Sequence, residues 1–460
     1  EITESAEDLP RGCRIVLKLR EDCADLAKAD RIRSIVENYS NFVSFPVMIG
    51  EERINKVEAI WRKKKNEVSD EEYDSFYKFS AKAYDAPRYR MHFNVDSPIE
   101  LNALLFVPTE NTELWGMGQM EPGVSLYCRN VLIDDKPEGL LPEWLRFLRG
   151  VIDSADLPLN ISRESMQDSS LVRTINRAVT KRFLRFLDGE AKDKADKYRE
   201  FHTKFSRFLK EGIVTDFEHR EGLAKLLRFE SSLCEPGTLT GFEDYLTRAK
   251  EGQDTIYYLT GTDRASVEAG PYLEALKVRG IEVIYFLDTI DEYLLQHLHQ
   301  FDGKPLLSAA SSKVELADDA NIETPGEALS DEAMTALCEF LTTELGDRVE
   351  TVAAGKRLIS SPAAVLVPAH GMGAQMRQMM RAMNPGEPLP FEKVELEVNP
   401  RHGLVHTLAA ARETNPDLAK LAAAQLLDNA LLAAGLLEDR VLLIDRGFQL
   451  MEAALKKSNA

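Results

Sequence analysis

The C-terminal part of the chain contains a helix that a single domain cannot easily bury. Residues 416–436 are rich in leucine and alanine, and the apolar residues fall on more than one helical face. Leu427 and Leu431 lie on one side, whereas Leu418 and Leu421 lie on another. Because neighbours must cover such a helix, we expect the final helices of two copies to pair into a symmetric bundle. The predicted homodimer contacts are Leu426, Leu431, Leu443 and Leu450.

The length and charge of the chain limit the classes of protein to which it can belong. At 460 residues it is too long for one compact core, so about two or three domains are expected. Its 76 acidic residues outnumber its 57 basic residues, and the formal charge of −19 disfavours binding to nucleic acid. No apolar run reaches the roughly 18 residues that a membrane-spanning helix needs. We therefore expect neither nucleic acid nor a membrane as a partner.

The cysteines and histidines predict neither disulfides nor a metal centre. The five cysteines are odd in number and widely separated, and none forms a Cys-x-x-Cys pair. This pattern is typical of a protein from a reducing compartment. His402 and His406 could share one face of a helix, but no third ligand lies near them in the sequence. No bound metal is expected.

Alternating strand and helix patterns predict an α/β fold with several domains. Ser69 is expected to cap a helix that runs through Tyr84, because its hydroxyl can accept a hydrogen bond from a free N–H group of the first turn. Strands are predicted to follow at residues 89–95, 100–107 and 125–133.

A second α/β unit is predicted further along the chain. Strands at residues 254–259 and 281–286 enclose a helix through Tyr272, which is the pattern of a β-α-β unit with a parallel sheet. The acidic stretch at residues 314–331 is typical of a connector, so a domain boundary is expected just before it.

Three helices are predicted to end the chain, at about residues 401–413, 416–436 and 439–456. Asn399 and Pro400 are expected to start the first of them. Asparagine is a favourable N-cap, and proline fits the first helical position.

One polar loop carries the residues of a candidate phosphate site. If Ser162 caps a helical turn, Arg163 places a cation at the positive end of that turn, and a bound anion would relieve the conflict. Arg163 and Gln167 are four residues apart and would point the same way, so together they could hold a phosphate as an arginine finger does. The alternative is that Arg163 pairs with Glu164 and only holds the loop together. The residues alone leave both open.

Exposed hydrophobic residues form a second candidate site. Trp115, Met117 and Met120 lie in a long polar loop at residues 108–123, where apolar side chains are costly in water unless they meet a partner. Trp61 precedes a basic run and is a further candidate for contact with a partner protein. Its alternative is an ordinary core tryptophan.

Methionines within residues 371–384 share a helical stripe. Because methionine is flexible and polarisable, such a stripe can adapt to varied apolar surfaces. A helix packed on its own domain would explain the same stripe. The methionines are Met372, Met376, Met379, Met380 and Met383.

Several stretches of the sequence resemble the heat-shock protein 90 chaperones. The longest is the run from Trp144 to Glu164, which resembles the middle-domain signature of that family. Residues 39–46, 211–214 and 397–402 also fit the family. The similarity extends over nearly the whole chain. Within the family, the sequence most resembles the branch that contains the bacterial high-temperature protein G and the mitochondrial members.

The resemblance implies a role for the polar loop. In the family, the arginine that corresponds to Arg163 reaches the terminal phosphate of ATP bound in the N-terminal domain, the position of Gln167 supports it, and Asn160 lies in the same loop. ATP and Mg²⁺ are thereby implied as cofactors of the intact protein, bound by that domain. This chain has no Gly-x-Gly-x-x-Gly or P-loop motif, so alone it is expected not to hydrolyse ATP.

The resemblance also implies partners. In the family, a helix just before the segment 397–402 binds client proteins, which favours client contacts for the methionine stripe, and the final helices form the dimer interface. The chain ends without the acidic Met-Glu-Glu-Val-Asp tail, so co-chaperones that read that tail are not expected. The bacterial cytoplasm or the mitochondrial matrix is implied as the compartment.

Three domains are expected from the resemblance. Residues 1–23 would be a remnant of the N-terminal ATPase domain, with its last strand at residues 13–19, which alternate in the β manner. Residues 24–305 would form a middle domain of two α/β units joined by a helical connector. Residues 306–460 would form an α/β dimerisation domain that ends in a helix bundle.

The implied function is that of a stress-response chaperone that binds and remodels partly folded client proteins with energy from ATP. One alternative is the transducer portion of a DNA-processing ATPase of the gyrase or mismatch-repair type, which the negative charge disfavours. Another is a passive holdase that uses only the tryptophan and methionine surfaces.

Overall fold

The computed structural model describes residues 11–55, 58–97, 99–157, 170–314, 326–366, 393–437 and 439–458, together with Arg377 and Met380. The chain forms two compact units, Glu1–Phe183 and Leu184–Ala460. Helices and mixed sheets occur in both, which confirms the predicted α/β multidomain fold. The predicted domain boundaries divide the chain differently and stay a prediction.

The first unit is built on a mixed β-sheet. Strands β5 and β7 run parallel, whereas the other neighbours in this sheet are antiparallel. The C-terminal ends of β5 and β7 therefore lie at the same edge, where the loop after β7 begins. A separate hairpin contains β1 (Met48–Ile49) and β2 (Glu52–Arg53). The sheet has the order β3-β4-β7-β5-β6 and contains β3 (Tyr89–Val95), β4 (Leu101–Val107), β5 (Gly123–Cys128), β6 (Val131–Asp134) and β7 (Arg149–Ser154).

Local capping chemistry explains where one helix of this unit begins and ends. The Ser69 hydroxyl accepts from the backbone N–H of Glu72 (3.2 Å), and the Glu72 carboxylate accepts from the N–H of Ser69 (2.8 Å), which confirms the predicted cap. The helix ends at Ala81, earlier than predicted, because Lys82 adopts a left-handed conformation. The helices are α1 (Ala29–Tyr39), α2 (Asp70–Ala81) and α3 (Ser170–Asp193), of which the last continues into the second unit.

The strand predicted at residues 13–19 is not formed. None of the described strands pairs with this segment, and Ile15, Val16 and Leu17 are exposed. Alternation of apolar residues cannot produce a strand without a hydrogen-bonding partner.

The second unit begins with helices and a small α/β subdomain. Strands β9 and β10 are parallel with Tyr257 opposite Val283, which confirms the parallel β-α-β unit predicted there. The helices are α4 (Ala195–Thr215), α5 (Arg220–Leu226), α6 (Phe242–Arg248), α7 (Arg264–Glu268), α8 (Glu274–Val278) and α9 (Asp291–His297). The strands are β8 (Glu230–Ser231), β9 (Ile256–Thr260), β10 (Val283–Phe286), β11 (Gln300–Phe301) and β12 (Lys304–Ser308), in the order β11-β12-β9-β10-β8.

A C-terminal subdomain completes the second unit. Its core is formed by buried side chains from both sheet and helices, including Leu341, Leu396, Val405 and Leu427. The strands β13 (Val349–Ala354), β14 (Ala363–Leu366) and β15 (Val394–Val398) have the order β13-β15-β14. The helices are α10 (Asp331–Leu345), α11 (Gly403–Thr414), α12 (Pro416–Ala433) and α13 (Arg440–Ser458). In the described ranges, no helix is long and apolar enough to cross a bilayer.

The helix predicted to start at Asn399 begins later. His402 is the N-cap of α11, and its Nδ1 accepts from the backbone N–H of Leu404 (3.1 Å). The Asn399 side-chain oxygen instead accepts from the N–H of Arg401 (3.0 Å), which forms a turn before the helix. The correction follows because asparagine satisfies a turn as readily as it caps a helix.

Candidate functional site

The polar loop with the candidate arginine lies largely outside the described residues. Asn160, Arg163 and Gln167 all fall within residues 158–169, so their roles stay predictions. The structure describes the two segments that flank this loop, the end of β7 and the start of α3.

The strand that enters the loop is fixed by side-chain hydrogen bonds. Asp153 is almost completely buried, and its Oδ2 accepts from the indole N–H of Trp61 (3.0 Å) and the backbone N–H of Asn130 (3.2 Å). Burial, together with the Asp153 charge, raises the pKa of Tyr127 to about 12. Asp153 thus joins the strand to residues from two distant segments.

The next residues of the chain are also held. The Ser154 hydroxyl donates to the Glu100 carbonyl (2.8 Å), and the Asp156 carboxylate accepts from the N–H of Glu100 (2.9 Å). Burial raises the pKa of Cys128, and its protonated thiol donates to the carbonyl of Leu157 (3.0 Å). The chain therefore enters the loop from a fixed position.

Gly150 allows β7 to lie this close to its neighbour. Its φ of +125° is unfavourable for other residues, and an added Cβ would lie 2.1 Å from the carbonyl oxygen of Leu104. The glycine of the Trp144-to-Glu164 run is thus required for steric reasons, and the sequence alone could not show this requirement.

Trp61 is a core residue, so its assignment as an exposed client contact is wrong in this structure. Its indole is completely buried and packs against Phe42, Phe76 and Tyr127, with ring centroids 4.7, 5.6 and 5.2 Å away. The physical reason is the partner Asp153, which gives the buried indole N–H a hydrogen bond.

The loop that carries Trp115 presents an apolar surface from a rigid base. Glu113 and Arg146 form a bidentate ion pair (2.8 and 2.9 Å), and the same carboxylate accepts from the N–H of Met120 (2.8 Å). Both charged side chains are largely buried, which makes such a pair less screened by solvent. The buried Asn111 accepts from the N–H of Glu113 (3.0 Å) and closes the base.

Leu114, Trp115 and Met117 are the large apolar residues that this loop exposes, with 58%, 60% and 74% of each residue accessible. We call these three residues the loop surface. Met120 is buried and does not belong to the loop surface, so its assignment as an exposed client contact is wrong in this structure. The physical reason is that its backbone N–H donates to Glu113, the carboxylate that pairs with Arg146. Leu114 was missed, although its position next to Trp115 could have indicated it.

The methionine stripe is described at one position. Met380 is half-buried, whereas Met376, Met379 and Met383 lie outside the described residues. Their role in client binding therefore stays a prediction.

The predicted dimer contacts on α12 are covered by their own subdomain. Leu426 and Leu431 are buried in the core that α12 forms with the sheet and with α10, so as exposed contacts they are wrong. Helical periodicity shows that a face is apolar but not which neighbour covers it. On α13, Leu443 and Leu450 are half-buried.

An exposed apolar stripe on α13 was missed. Its members follow one another at alternating spacings of three and four residues, which places them along one line of the helix. The sequence alone could have indicated this stripe through its spacing. The stripe, which we call the α13 stripe, consists of Val441, Ile444, Phe448, Met451 and Leu455, each more than half exposed.

A buried carboxylate sets the orientation of α13. Asp428 on α12 forms ion pairs with Arg348 and with Arg446 of α13, and its side chain is 3% accessible. Because Arg446 must face α12 to make this contact, the opposite side of α13 carries the exposed stripe.

His402 and His406 each use a ring nitrogen for a backbone contact. His402 caps α11, and His406 Nε2 donates to the carbonyl of Pro400 (2.9 Å). In the described part of the chain, no three His, Cys, Asp or Glu side chains cluster in a way that could hold a metal ion.

Comparisons with known proteins find sequences similar to this chain in one protein family. A family model described as Hsp90 protein matches residues 48–460. The chain is 48% identical over 450 residues to the chaperone protein HtpG of Desulfitobacterium hafniense, covering 98% of this chain and 73% of that protein. It is 38% identical over 459 residues to the mitochondrial TNF receptor-associated protein 1 homolog of Dictyostelium discoideum, covering 99% of this chain and 64% of that protein. The mitochondrial heat shock protein 75 kDa of Rattus norvegicus is 37% identical over 467 residues, with 99% and 66% covered.

The burial of the three tryptophans predicts a fluorescence result. Trp61 and Trp144 are buried and Trp115 is exposed, so acrylamide should quench mainly Trp115. Trp115→Phe is expected to remove the readily quenched emission and leave a protected component. Readily quenched emission that persists in this variant, with its folding verified by circular dichroism, would contradict the exposure of the loop surface.

Proposed function

Since the chain belongs to the Hsp90 family, we propose that it supplies the phosphate-contacting arginine, the client surface and the dimer interface of an ATP-dependent chaperone. The observation that carries the proposal is the fixed end of β7, where Asp153, Ser154 and Asp156 hold the chain as it enters the loop with Arg163. Such an anchor is what a loop needs if it is to place one side chain reproducibly.

Arg163 is proposed to contact the terminal phosphate of ATP held by a nucleotide-binding domain. The bound nucleotide and Mg²⁺ supply the phosphoryl chemistry. The planar guanidinium offers paired N–H donors to the charge that develops on the transferred phosphoryl group, and Gln167 would orient the same region. Asn160 is proposed to support the loop.

The loop surface is proposed as a contact for partly folded proteins. Leu114, Trp115 and Met117 expose apolar area that gains free energy when water is displaced. Because the Glu113–Arg146 pair already orders the base, binding would require little additional loss of conformational freedom. Met376, Met379, Met380 and Met383 are proposed as a second contact.

The chain is proposed to form a homodimer through α13. Five large apolar side chains in one stripe are unfavourable in water unless another surface covers them. The two-fold pairing of this stripe with that of a second copy would cover both at once. Leu443 and Leu450, which are half-buried, stay proposed as further contacts of the homodimer.

The relatives include bacterial and mitochondrial proteins. We propose the bacterial cytoplasm or the mitochondrial matrix as the compartment. Nucleic acid is not proposed as a partner.

One consequence of this proposal concerns Arg163 and applies to a protein in which this chain is joined to a nucleotide-binding domain. Arg163→Ala should lower steady-state ATP turnover by at least about a hundredfold, because the charge on the phosphoryl group loses its donors, while nucleotide affinity stays within about twofold. Glu164→Gln is the matched control for the alternative in which Arg163 only pairs with Glu164. Equal loss in both variants would support that alternative instead.

The second prediction concerns the loop surface. The double variant Trp115→Ala/Met117→Ala should weaken binding of a permanently unfolded, carboxymethylated test protein by about tenfold or more, since two large apolar contacts are lost. Phe217→Ala is the control, because Phe217 is also a large exposed apolar residue but lies elsewhere. Equal weakening by the control, measured by fluorescence anisotropy, would remove the special role of the loop.

The third prediction concerns the α13 stripe. Phe448→Asp places a charge in the centre of the proposed interface and should convert a dimer into a monomer in sedimentation velocity experiments. Gln449→Asp adds the same charge one position away from the stripe and should leave the dimer intact. A dimer that survives Phe448→Asp, or a wild-type chain that is monomeric, would refute this interface.

A further inference from the structure

The small α/β subdomain and the C-terminal subdomain, which both lie in the second unit, are connected through one carboxylate. Glu274 is the first residue of α8 in the small α/β subdomain. Its carboxylate reaches the loop between β13 and β14 and accepts hydrogen bonds from five donors there.

The donors converge on the two carboxylate oxygens. Oε2 accepts from the backbone N–H groups of Ile359 (2.7 Å), Ser360 (2.9 Å) and Ser361 (3.3 Å). Oε1 accepts from the hydroxyls of Ser360 (2.8 Å) and Ser361 (2.5 Å). Successive backbone N–H groups that point to one spot form an anion-binding concavity, and here the anion is supplied by the same chain.

The loop is held in this shape by its own subdomain. The Asn399 side-chain amide donates to the carbonyls of Ile359 (3.3 Å) and Ser361 (3.1 Å), and its backbone N–H donates to Pro362 (2.9 Å). Asn399 is buried. The donor loop is therefore also held by contacts that do not involve Glu274.

Other contacts between described residues also join the two subdomains at this place. The Tyr272 hydroxyl donates to the carbonyl of Val365 (2.6 Å), and Arg357 donates to the carbonyl of Ser311 (2.8 Å). The C-terminal subdomain contributes mainly Leu358 and Ala364 to the apolar cluster around Tyr272. The carboxylate therefore adds a polar, directional contact to this apolar one.

The ionised form of Glu274 is the one that the loop favours. Burial acts to raise its pKa, but the hydrogen bonds from Ser361, Ile359 and Ser360 outweigh it, so the pKa of Glu274 is lowered. The contact thus depends on a negative charge at residue 274, and a second negative charge in the loop would oppose it.

We propose that Glu274 is a latch that fixes the orientation of the small α/β subdomain relative to the C-terminal subdomain, and that its release lets the two subdomains reorient. The latch goes beyond the proposed chaperone function and operates without nucleotide, client or partner. It can therefore be tested on the chain alone.

Hydrogen exchange measured by mass spectrometry and NMR gives the first test. In Glu274→Gln and Glu274→Ala, the protection factors of the amides of residues 359–361 should fall by about tenfold or more, while those of α10 and α12 stay unchanged. Glu251→Gln, an exposed carboxylate of the same subdomain, is the control and should change nothing. Unchanged protection at residues 359–361, or an equal loss throughout the chain, would overturn the latch.

A charge added to the loop gives an independent test that leaves Glu274 in place. Ser360→Asp should lower the same protection factors in the wild-type background through repulsion with Glu274. In the Glu274→Gln background it should have little additional effect, because the repelling charge is gone. Fully additive effects would show that the two side chains do not act on each other and would refute the proposal.

Small-angle X-ray scattering tests the orientation itself. The latch variants should show a broader distribution of intramolecular distances than the wild type and the Glu251→Gln control. Faster exchange at residues 359–361 with an unchanged scattering profile would reduce Glu274 to a local stabiliser of the loop and would overturn its role in orientation.

Discussion

The first unit depends on the buried carboxylate of Asp153. An ionised group in a protein interior costs several kcal/mol unless donors satisfy it, and here the donors are the indole of Trp61 and the backbone of Asn130. These residues come from three distant parts of the chain, so the aromatic core, the turn after β5 and the end of β7 have to stay together. The end of β7 is therefore positioned by contacts with these separate segments.

Buried charges also determine which apolar side chains stay exposed. Glu113 and Arg146 close the base of one loop and leave Trp115 outside, whereas Asp428 binds Arg446 and turns the stripe of α13 away from α12. In both places the apolar side chains stay exposed because a directional ion pair fixes the orientation of the segment that carries them. Apolar packing alone has no such directional preference and would tend to bury these side chains.

The sequence predicted what local chemistry determines and failed where distant partners decide. Ser69 caps α2 through its own first turn, and the strands around Tyr272 pair in parallel because a helix connects them. The burial of Trp61 depends on Asp153, which lies 92 positions away, and no pattern near Trp61 reveals it. The same limit applies to Leu426 and Leu431, whose apolar face could have been covered by a second copy or, as found, by their own sheet and helix.

The connection between the two subdomains of the second unit is partly polar, and this has a consequence for the strength of the polar part. Apolar surfaces separate at a cost of about 25 cal/mol per Å², whereas a carboxylate and its donors regain hydrogen bonds to water when they part, so each bond to the charged group has a net worth of about 1.5–3 kcal/mol. Asn399 keeps the donor loop in shape when Glu274 leaves it. The contact between Glu274 and the loop can therefore form again without a reordering of the loop. A contact of this kind can form and break repeatedly while both subdomains stay folded.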